Sequence, residues 1–356
     1  MGRTIALAGL GSAGRTIHLP AYAGVAGLSV VAGCDPAARP GDFPFPVYAT
    51  LEELLATARP EILGIASPPA AHFEQARAGL AAGCHVFCEK PFTSTLAEAD
   101  ELARLARKRG RWLVVNHEFR YMRTHQALKR AIGTPEFGEL VFVSAFQTYP
   151  RRPGMEDGWR GQGDQRTCRE FGIHVLDLCR FLFDAEPVRV HARMPRGGDA
   201  GGPDHLDLVT LDFPGDRSAH VTLDRMAHGR HRYLDLRVDG TAGTIETSLG
   251  GRLALHAGMN ATTRRPFVDL DLARGGRARL YQGERFRTLA TEPPGIFAAA
   301  TAVLMGEFLA ALEAGRMPPC HAEDARRSMA LVQAAYDSDA RGRALSRGSD
   351  GEWGSP

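Results

Sequence analysis

Apolar residues fall along this chain in two rhythms. Up to about residue 115, short apolar runs at 4–8, 28–34, 61–66, 85–88 and 112–115 alternate with stretches of helical period at 51–59, 71–82 and 96–109. Runs unbroken by polar positions suit strands of a parallel sheet covered on both faces. Thr50 and Thr95 stand where N-caps are expected. Strand and helix in alternation predict a doubly wound α/β domain. Residues 15–26 can be helical, with Pro20 as an interruption.

Beyond about residue 120 the period changes. A helix at 122–132 leads into stretches at 140–149, 188–194, 206–213, 219–225, 233–238 and 244–247 that read as strands. Most lack crossover helices between them, which predicts an α+β domain with a large, mostly antiparallel sheet. One helix, 169–183, interrupts the strands early, and two more, 297–314 and 322–340, come late. The tail from Ser346 is polar and glycine-rich and reads as disordered. The expected division is therefore 1–120, 121–342 and a tail of 343–356.

Length and charge narrow the class. At 356 residues the chain has room for about two domains. A net charge of +2 with scattered arginines argues against nucleic acid or membrane surfaces as partners. The first strand begins almost at Met1, which leaves no room for a signal peptide, and no apolar stretch reads as long enough to span a bilayer. A cytoplasmic protein is expected. Six cysteines in a chain this long do not suggest a disulfide framework. Cys84-His85-x-x-Cys88 lacks a second ligand pair at zinc-finger spacing and alternates as a buried strand, so its thiols read as core and no metal is expected.

The chemistry begins where the first strand ends, in Gly9-Leu10-Gly11-Ser12-Ala13-Gly14. In a strand–turn–helix unit, Gly9 permits the tight turn, Gly11 lets the backbone approach a pyrophosphate, and Gly14 lets the helix pack on the strand. The second strand ends in Asp35, roughly twenty residues on, where a ribose-binding carboxylate is expected. A carboxylate there favours NAD, and Arg39, four residues later, keeps NADP open. Ser67-Pro68-Pro69, Glu89-Lys90-Pro91 and Asn116-His117-Glu118 also fall at strand ends, where ligands of such sheets lie. At helical spacing Glu170, His174 and Asp177 share one face. A histidine flanked by carboxylates suits a general base, and Lys90 suits the binding of a substrate oxygen. Each alone also reads as an ordinary surface charge or ion pair.

Taken together, Gly9–Gly14, Ser67-Pro68-Pro69-Ala70-Ala71-His72, Cys88-Glu89-Lys90-Pro91-Phe92, Glu118-Phe119-Arg120-Tyr121, Gly172-Ile173-His174-Val175-Leu176-Asp177 and the stretch His321–Ser328 resemble the glucose–fructose oxidoreductase/inositol dehydrogenase (Gfo/Idh/MocA) family over almost the whole chain. The resemblance implies a Rossmann domain joined to a domain with an open, mostly antiparallel sheet. It implies NAD(P)-dependent chemistry on sugars and cyclitols, and a homodimer or homotetramer. Carried over by motif, Gly9, Gly11, Ser12, Ala13, Gly14, Asp35, Ser67, Pro68, His72, Glu89 and Lys90 would hold the cofactor. Lys90, His174, Asp177 and Glu170 would form the catalytic group.

Glu170 is a departure, since the family usually has aspartate there after a glycine run, and here Arg166-Thr167-Cys168-Arg169 precede it. Arg120, Arg160, Arg166 and Arg169 are read as substrate contacts, which opens the way to an acidic substrate. The leading expectation is hydride transfer between the nicotinamide and a secondary alcohol or ketone of a small polar molecule. Imine reduction and a dinucleotide-binding sensor without turnover are the competing expectations.

Overall fold

A computed structural model describes residues 2–39, 41–149, 165–196, 202–228, 233–250, 252–259, 266–273 and 275–354. Its N-terminal sheet is built from β1 (Arg3–Ala8), β2 (Leu28–Cys34), β3 (Val47–Tyr48), β4 (Ile62–Ile65), β5 (His85–Cys88) and β6 (Leu113–Val115), all parallel, in the order β3-β2-β1-β4-β5-β6. The unbroken apolar runs occupy the middle of this sheet, and Ile5 to Ala8 and Ile62, Leu63 and Ile65 have no exposed surface.

Local sequence explains the connections. Gly9 has φ +93°, and a Cβ there would lie 2.4 Å from the Ser67 amide nitrogen. The next turn, Gly14–His18, winds as a π-helix and continues into α1 (Leu19–Ala23). Pro20 does not interrupt this helix as expected. It stands at the second position of α1, directly after the π-helical turn. The other helices are α2 (Leu51–Ala58), α3 (Pro69–Ala81) and α4 (Leu96–Arg109). Thr50 caps α2, Thr95 and Glu98 form a capping box on α4, and Gly110 ends α4 in the left-handed conformation. Helix α3 starts two residues before the expected Ala71 because Pro69 occupies its first position.

The second half opens with a 3₁₀ turn, Glu118–Tyr121, and α5 (Arg123–Ala131). Strand β7 (Leu140–Thr148) follows, then a π-helical turn, Cys168–Gly172, that runs into α6 (Ile173–Phe183). The remaining elements are β8 (Arg189–Arg193), β9 (Leu206–Phe213), β10 (Arg217–Asp224), β11 (Leu234–Gly240), β12 (Thr244–Leu249), β13 (Arg252–Met259), β14 (Pro266–Ala273), β15 (Gly276–Gln282), β16 (Arg285–Thr291), α7 (Ile296–Glu313), α8 (Ala322–Arg341), β17 (Leu345–Arg347) and β18 (Trp353–Gly354). Ten strands form one sheet in the order β16-β15-β12-β11-β7-β10-β9-β8-β17-β18, antiparallel except for the parallel pair β7–β10. Strands β13 and β14 pair as a separate hairpin. Helix α6 is buried on almost every side, with the large sheet behind it and α8 against it.

Two expectations are corrected here. The tail does not lack structure: β17 pairs with β8, β18 pairs with β17, and Leu345 has no exposed surface. Its glycines serve the turn between two short edge strands. The second correction concerns α7, which is long and apolar enough to cross a membrane by length and composition, with a mean hydropathy of 1.7. It lies here as a core helix, burying Leu304, Met305 and Phe308 against α1 and the Glu118–Tyr121 turn. After α7 the chain returns to the parallel sheet, where His321 bridges to Val114. All six cysteines are free and buried.

Ordering of the tail is testable. Leu345→Ala should lower the unfolding free energy by about 2–5 kcal/mol, measured by urea denaturation. A change near zero would mean that the tail does not hold to the sheet.

Candidate functional site

The loops after β1, β2, β4, β5 and β6 all leave the carboxyl edge of the parallel sheet, where ligands of such sheets lie. Glu89 is fixed first. His18 Nε2, brought inward by the π-helical turn, lies 2.8 Å from its Oε1, and Asn116 Nδ2 donates to the same oxygen at 2.7 Å. His18 Nδ1 lies 2.8 Å from the Tyr22 hydroxyl, and Asn116 also reaches Thr301 of α7 at 3.1 Å. Burial would raise the Glu89 pKa. The His18 hydrogen bond and charge, the Lys90 charge and the Asn116 amide outweigh burial and hold it at about 2. His72 fixes the next residue. Its Nδ1 is 2.8 Å from the Pro91 carbonyl and its Nε2 is 2.8 Å from that of Ser67, so one buried ring joins the loops after β4 and β5. The Lys90–Pro91 bond is cis.

Between these anchors Lys90 extends from the first domain to the second. Its Nζ donates to the Glu170 carbonyl at 2.8 Å. Four residues further on, the His174 ring stacks on Phe119, with centroids 4.3 Å apart and planes 12° apart. Burial, then the Lys90 and His117 charges, push the His174 pKa well below its ordinary value, so the ring is neutral at rest. Its Nδ1 lies 3.8 Å from Glu118 Oε2. Burial and the Glu89 charge push the Glu118 carboxyl well above the usual range.

The remaining expected residues are placed differently. Asp177 does not touch His174. It receives Arg120 Nε at 2.7 Å and Nη2 at 2.6 Å, Ser328 Oγ at 2.6 Å and Arg180 Nη1 at 3.3 Å, with His117 Nδ1 at 3.6 Å. Arg120 spends its third nitrogen on Asp324 at 2.8 Å. Arg120, expected to contact substrate, has all three guanidinium nitrogens on Asp177 and Asp324 and acts as a strut between the Glu118–Tyr121 turn, α6 and α8. The π-helical winding of Cys168–Gly172 breaks the 3.6-residue spacing on which the Glu170–His174 alignment rested. The Glu170 carbonyl is what meets Lys90, and its carboxylate charge is felt by Tyr233. Arg169 donates Nη1 to Ser94 O at 3.0 Å and Nη2 to Gln165 Oε1 at 2.7 Å, both neutral acceptors. Arg166 is buried, with its backbone N–H on Asp204. Arg160 lies outside the described residues. Ser67 donates to Gln75 Oε1 at 2.6 Å, and Pro68 precedes α3.

Several site residues carried no readable signal. Asp204, 36 positions after Cys168, accepts from its N–H at 3.1 Å and from the Tyr336 hydroxyl at 2.8 Å, so it caps the turn that carries Glu170. An aromatic wall gathers from five separate segments. Tyr149 stacks on Phe171 at 4.5 Å, and Tyr233 meets Tyr149, Phe119 and Phe297 edge-on at 5.6–6.0 Å.

Two family models match in succession. One, described as oxidoreductase family, NAD-binding Rossmann fold, matches residues 3–117, and the GFO/IDH/MocA C-terminal domain matches residues 125–246. The chain belongs to the GFO/IDH/MocA oxidoreductase family. Among its relatives, a D-apiose dehydrogenase of Paraburkholderia graminis is 26% identical over 96% of this chain and 88% of its own length. A 1,5-anhydro-D-fructose reductase of Ensifer adhaerens is 25% identical over 83% of this chain and 82% of its own. An oxidoreductase of Agrobacterium radiobacter, solved with NAD+, L-tartaric acid and magnesium, shares the fold with a TM-score of 0.81, covering 97% of this chain and 98% of that one at 20% identity.

The glycine loop fits the NAD that this family binds. A Cβ at Gly11 would meet nothing within 4 Å, which leaves open space above the backbone, whereas one at Gly14 would lie 2.3 Å from the Gly9 carbonyl. Gly11 and Ser12 are exposed. Asp35 accepts from Leu10 N and Ala37 N, each at 2.8 Å, one on each oxygen. It thus stiffens the loop and keeps a lone pair on each oxygen for ribose hydroxyls.

Two outcomes follow from this geometry. Gly11→Ala should leave Tm unchanged and weaken NADH binding at least tenfold, because the methyl group fills only cofactor space, whereas Gly14→Ala should lower Tm as well. Calorimetry with fluorescence titration separates the two. Glu89 is depressed on folding from about 4.3 to about 2. The stability it contributes is therefore complete above the unfolded value and lost as pH falls through the folded one. Glu89→Gln should flatten the acid-side loss of stability between about pH 5 and 2, read by denaturation at a series of pH values.

Proposed function

We propose that this protein transfers hydride between a nicotinamide cofactor and a secondary hydroxyl, or the corresponding ketone, of a neutral sugar or cyclitol. Lys90 polarises the substrate oxygen and His174 moves its proton. The observation that carries this reading is the pairing of Lys90, bound to Glu170 O, with a neutral His174 four residues further along the segment that carries Glu170. When bound, the nicotinamide accepts or returns the hydride.

With Nδ1 turned toward Glu118, Nε2 is the ring nitrogen that faces substrate. A neutral imidazole can take the hydroxyl proton as the hydride leaves, and the Lys90 ammonium stabilises the negative charge that develops on oxygen. The aromatic wall suits the apolar faces of a sugar ring. Arg120 is committed to Asp177 and Asp324, which removes one of the cations expected to favour an acidic substrate and supports a neutral one. Asp35 supports NAD over NADP, because a 2′-phosphate would meet its charge.

The test is turnover on a panel containing D-apiose, methyl glucosides, 1,5-anhydro-D-fructose and myo-inositol, with NAD(H) and NADP(H). His174→Ala and Lys90→Met should each lower kcat by roughly 10²-fold or more without weakening NADH binding. Full turnover by His174→Ala, or strict dependence on NADPH, would overturn the corresponding part of the assignment.

A further inference from the structure

The His174 ring has one nitrogen for substrate and one for the protein interior. The interior one, Nδ1, is sealed from solvent and has no hydrogen-bond partner. Glu118 Oε2 is in the same condition, and the two atoms lie 3.8 Å apart. Buried polar atoms are rarely left unpaired. Two such atoms facing each other, one step beyond hydrogen-bond length, make a pair that a small side-chain rotation closes.

Resting on the acid–base reading of His174, we propose that Glu118 is the residue through which His174 gains and loses its proton. In reduction, which starts from the protonated carboxyl, Oε2–H breaks and Nδ1–H forms, while Nε2–H breaks and the substrate O–H forms as hydride from the nicotinamide adds to the carbonyl carbon. Oxidation is the reverse and starts from the ionised carboxylate: the proton passes from the substrate O–H to Oε2 through the ring, and the C–H electron pair leaves as hydride. Glu118 acts through His174 and is a positioning and proton-holding residue.

Burial explains why the ring needs such a partner. His174 stands beside the Lys90 ammonium in a desolvated site, where an imidazolium would be doubly disfavoured. Glu118 faces Glu89, Lys90 and Asp177. Tyr233 is near it, and Tyr233 in turn faces Tyr149 and Glu170. His117 lies on the same loop and His125 packs behind Phe119. Among these the Glu89 and Asp177 charges favour a protonated Glu118, and Lys90 opposes it. The same desolvation that drives the proton from an imidazolium keeps it on a carboxyl.

The experiment is a pH titration of the full-length protein without substrate, labelled with ¹⁵N-histidine and with ¹³C at the glutamate carboxyl. His174→Gln and Glu118→Gln assign the two sites. Interacting groups titrate as a pair, so the Glu118 carboxyl and the His174 ring nitrogens should report one shared midpoint, above the ordinary carboxylate range. In Glu118→Gln the His174 transition should leave that pH. Glu118→Asp, which withdraws the carboxyl by one methylene, should uncouple the two signals if the glutamine variant fails to fold. Independent midpoints, an ordinary carboxylate value for Glu118, or a His174 transition unmoved in both variants would overturn the relay. Full turnover by His174→Ala with the shared midpoint intact would instead overturn the acid–base reading beneath it.

Discussion

An ionised carboxylate taken out of water costs several kcal/mol unless its oxygens are filled by donors, and the loop that presents Lys90 is held by a carboxylate in that position. Glu89 receives His18 from the turn after the glycine loop and Asn116 from the end of β6, and Asn116 is itself held by Thr301 of α7. Two elements distant in sequence therefore meet on one oxygen, and a third, α7, is tied to them through Asn116. Because none of those donors can be withdrawn without leaving a buried charge, the backbone at Lys90 has little freedom. His72 removes more of it by lying between the Pro91 carbonyl and that of Ser67 on the neighbouring loop. The ammonium is thus aimed before any substrate arrives, as a preorganised electrostatic contact requires.

A second buried charge cluster places His174 in relation to it. Asp177 and Asp324 take up Arg120 and Arg180, and Glu186 takes up Arg180 from the far side. This cluster fastens α6 to the Glu118–Tyr121 turn and to α8. His174 is one turn of helix from Asp177 and stacks on Phe119, so fixing Asp177 fixes the ring. The carboxylate that spacing put beside the histidine does orient it, but through the helix backbone and two arginines rather than by contact.

The sequence was legible where one element speaks for itself. The parallel strands, the capped helices α2 and α4, the glycine loop and the Glu-Lys-Pro turn each carry a local signal of burial, capping or backbone need. Strands β13 to β16 were missed because their alternation is diluted by arginine, aspartate and glycine, and β16 is an exposed edge. The site was half legible. Lys90 and His174 could be named from their positions. The partners of Arg120 and Arg169 could not, because a buried ion pair depends on which distant element arrives, and no spacing encodes that. Asp204 capping Cys168, and the five aromatic rings, are invisible for the same reason. The π-helical turns at Gly14–His18 and Cys168–Gly172 also leave no mark on a helical pattern, yet each re-aims a site residue.

Three titratable groups of this cleft are driven in opposite directions by one cause. Burial disfavours every charged form, and what differs is the compensation each group receives. Glu89 has His18 and Asn116 on one oxygen and the Lys90 N–H on the other, and stays ionised. His174 has a cation beside it and no hydrogen-bonded anion, so it stays neutral. Glu118 has carboxylates nearby and no donor on Oε2, and burial, the largest influence, keeps its proton on. A site with one residue fixed as an anion, one as a neutral base and one as a neutral acid has its acid–base roles assigned before substrate binds, and the assignment needs no unusual residue. It follows from which side chains the two domains bring against each carboxyl group, and therefore from the fold as much as from the motif.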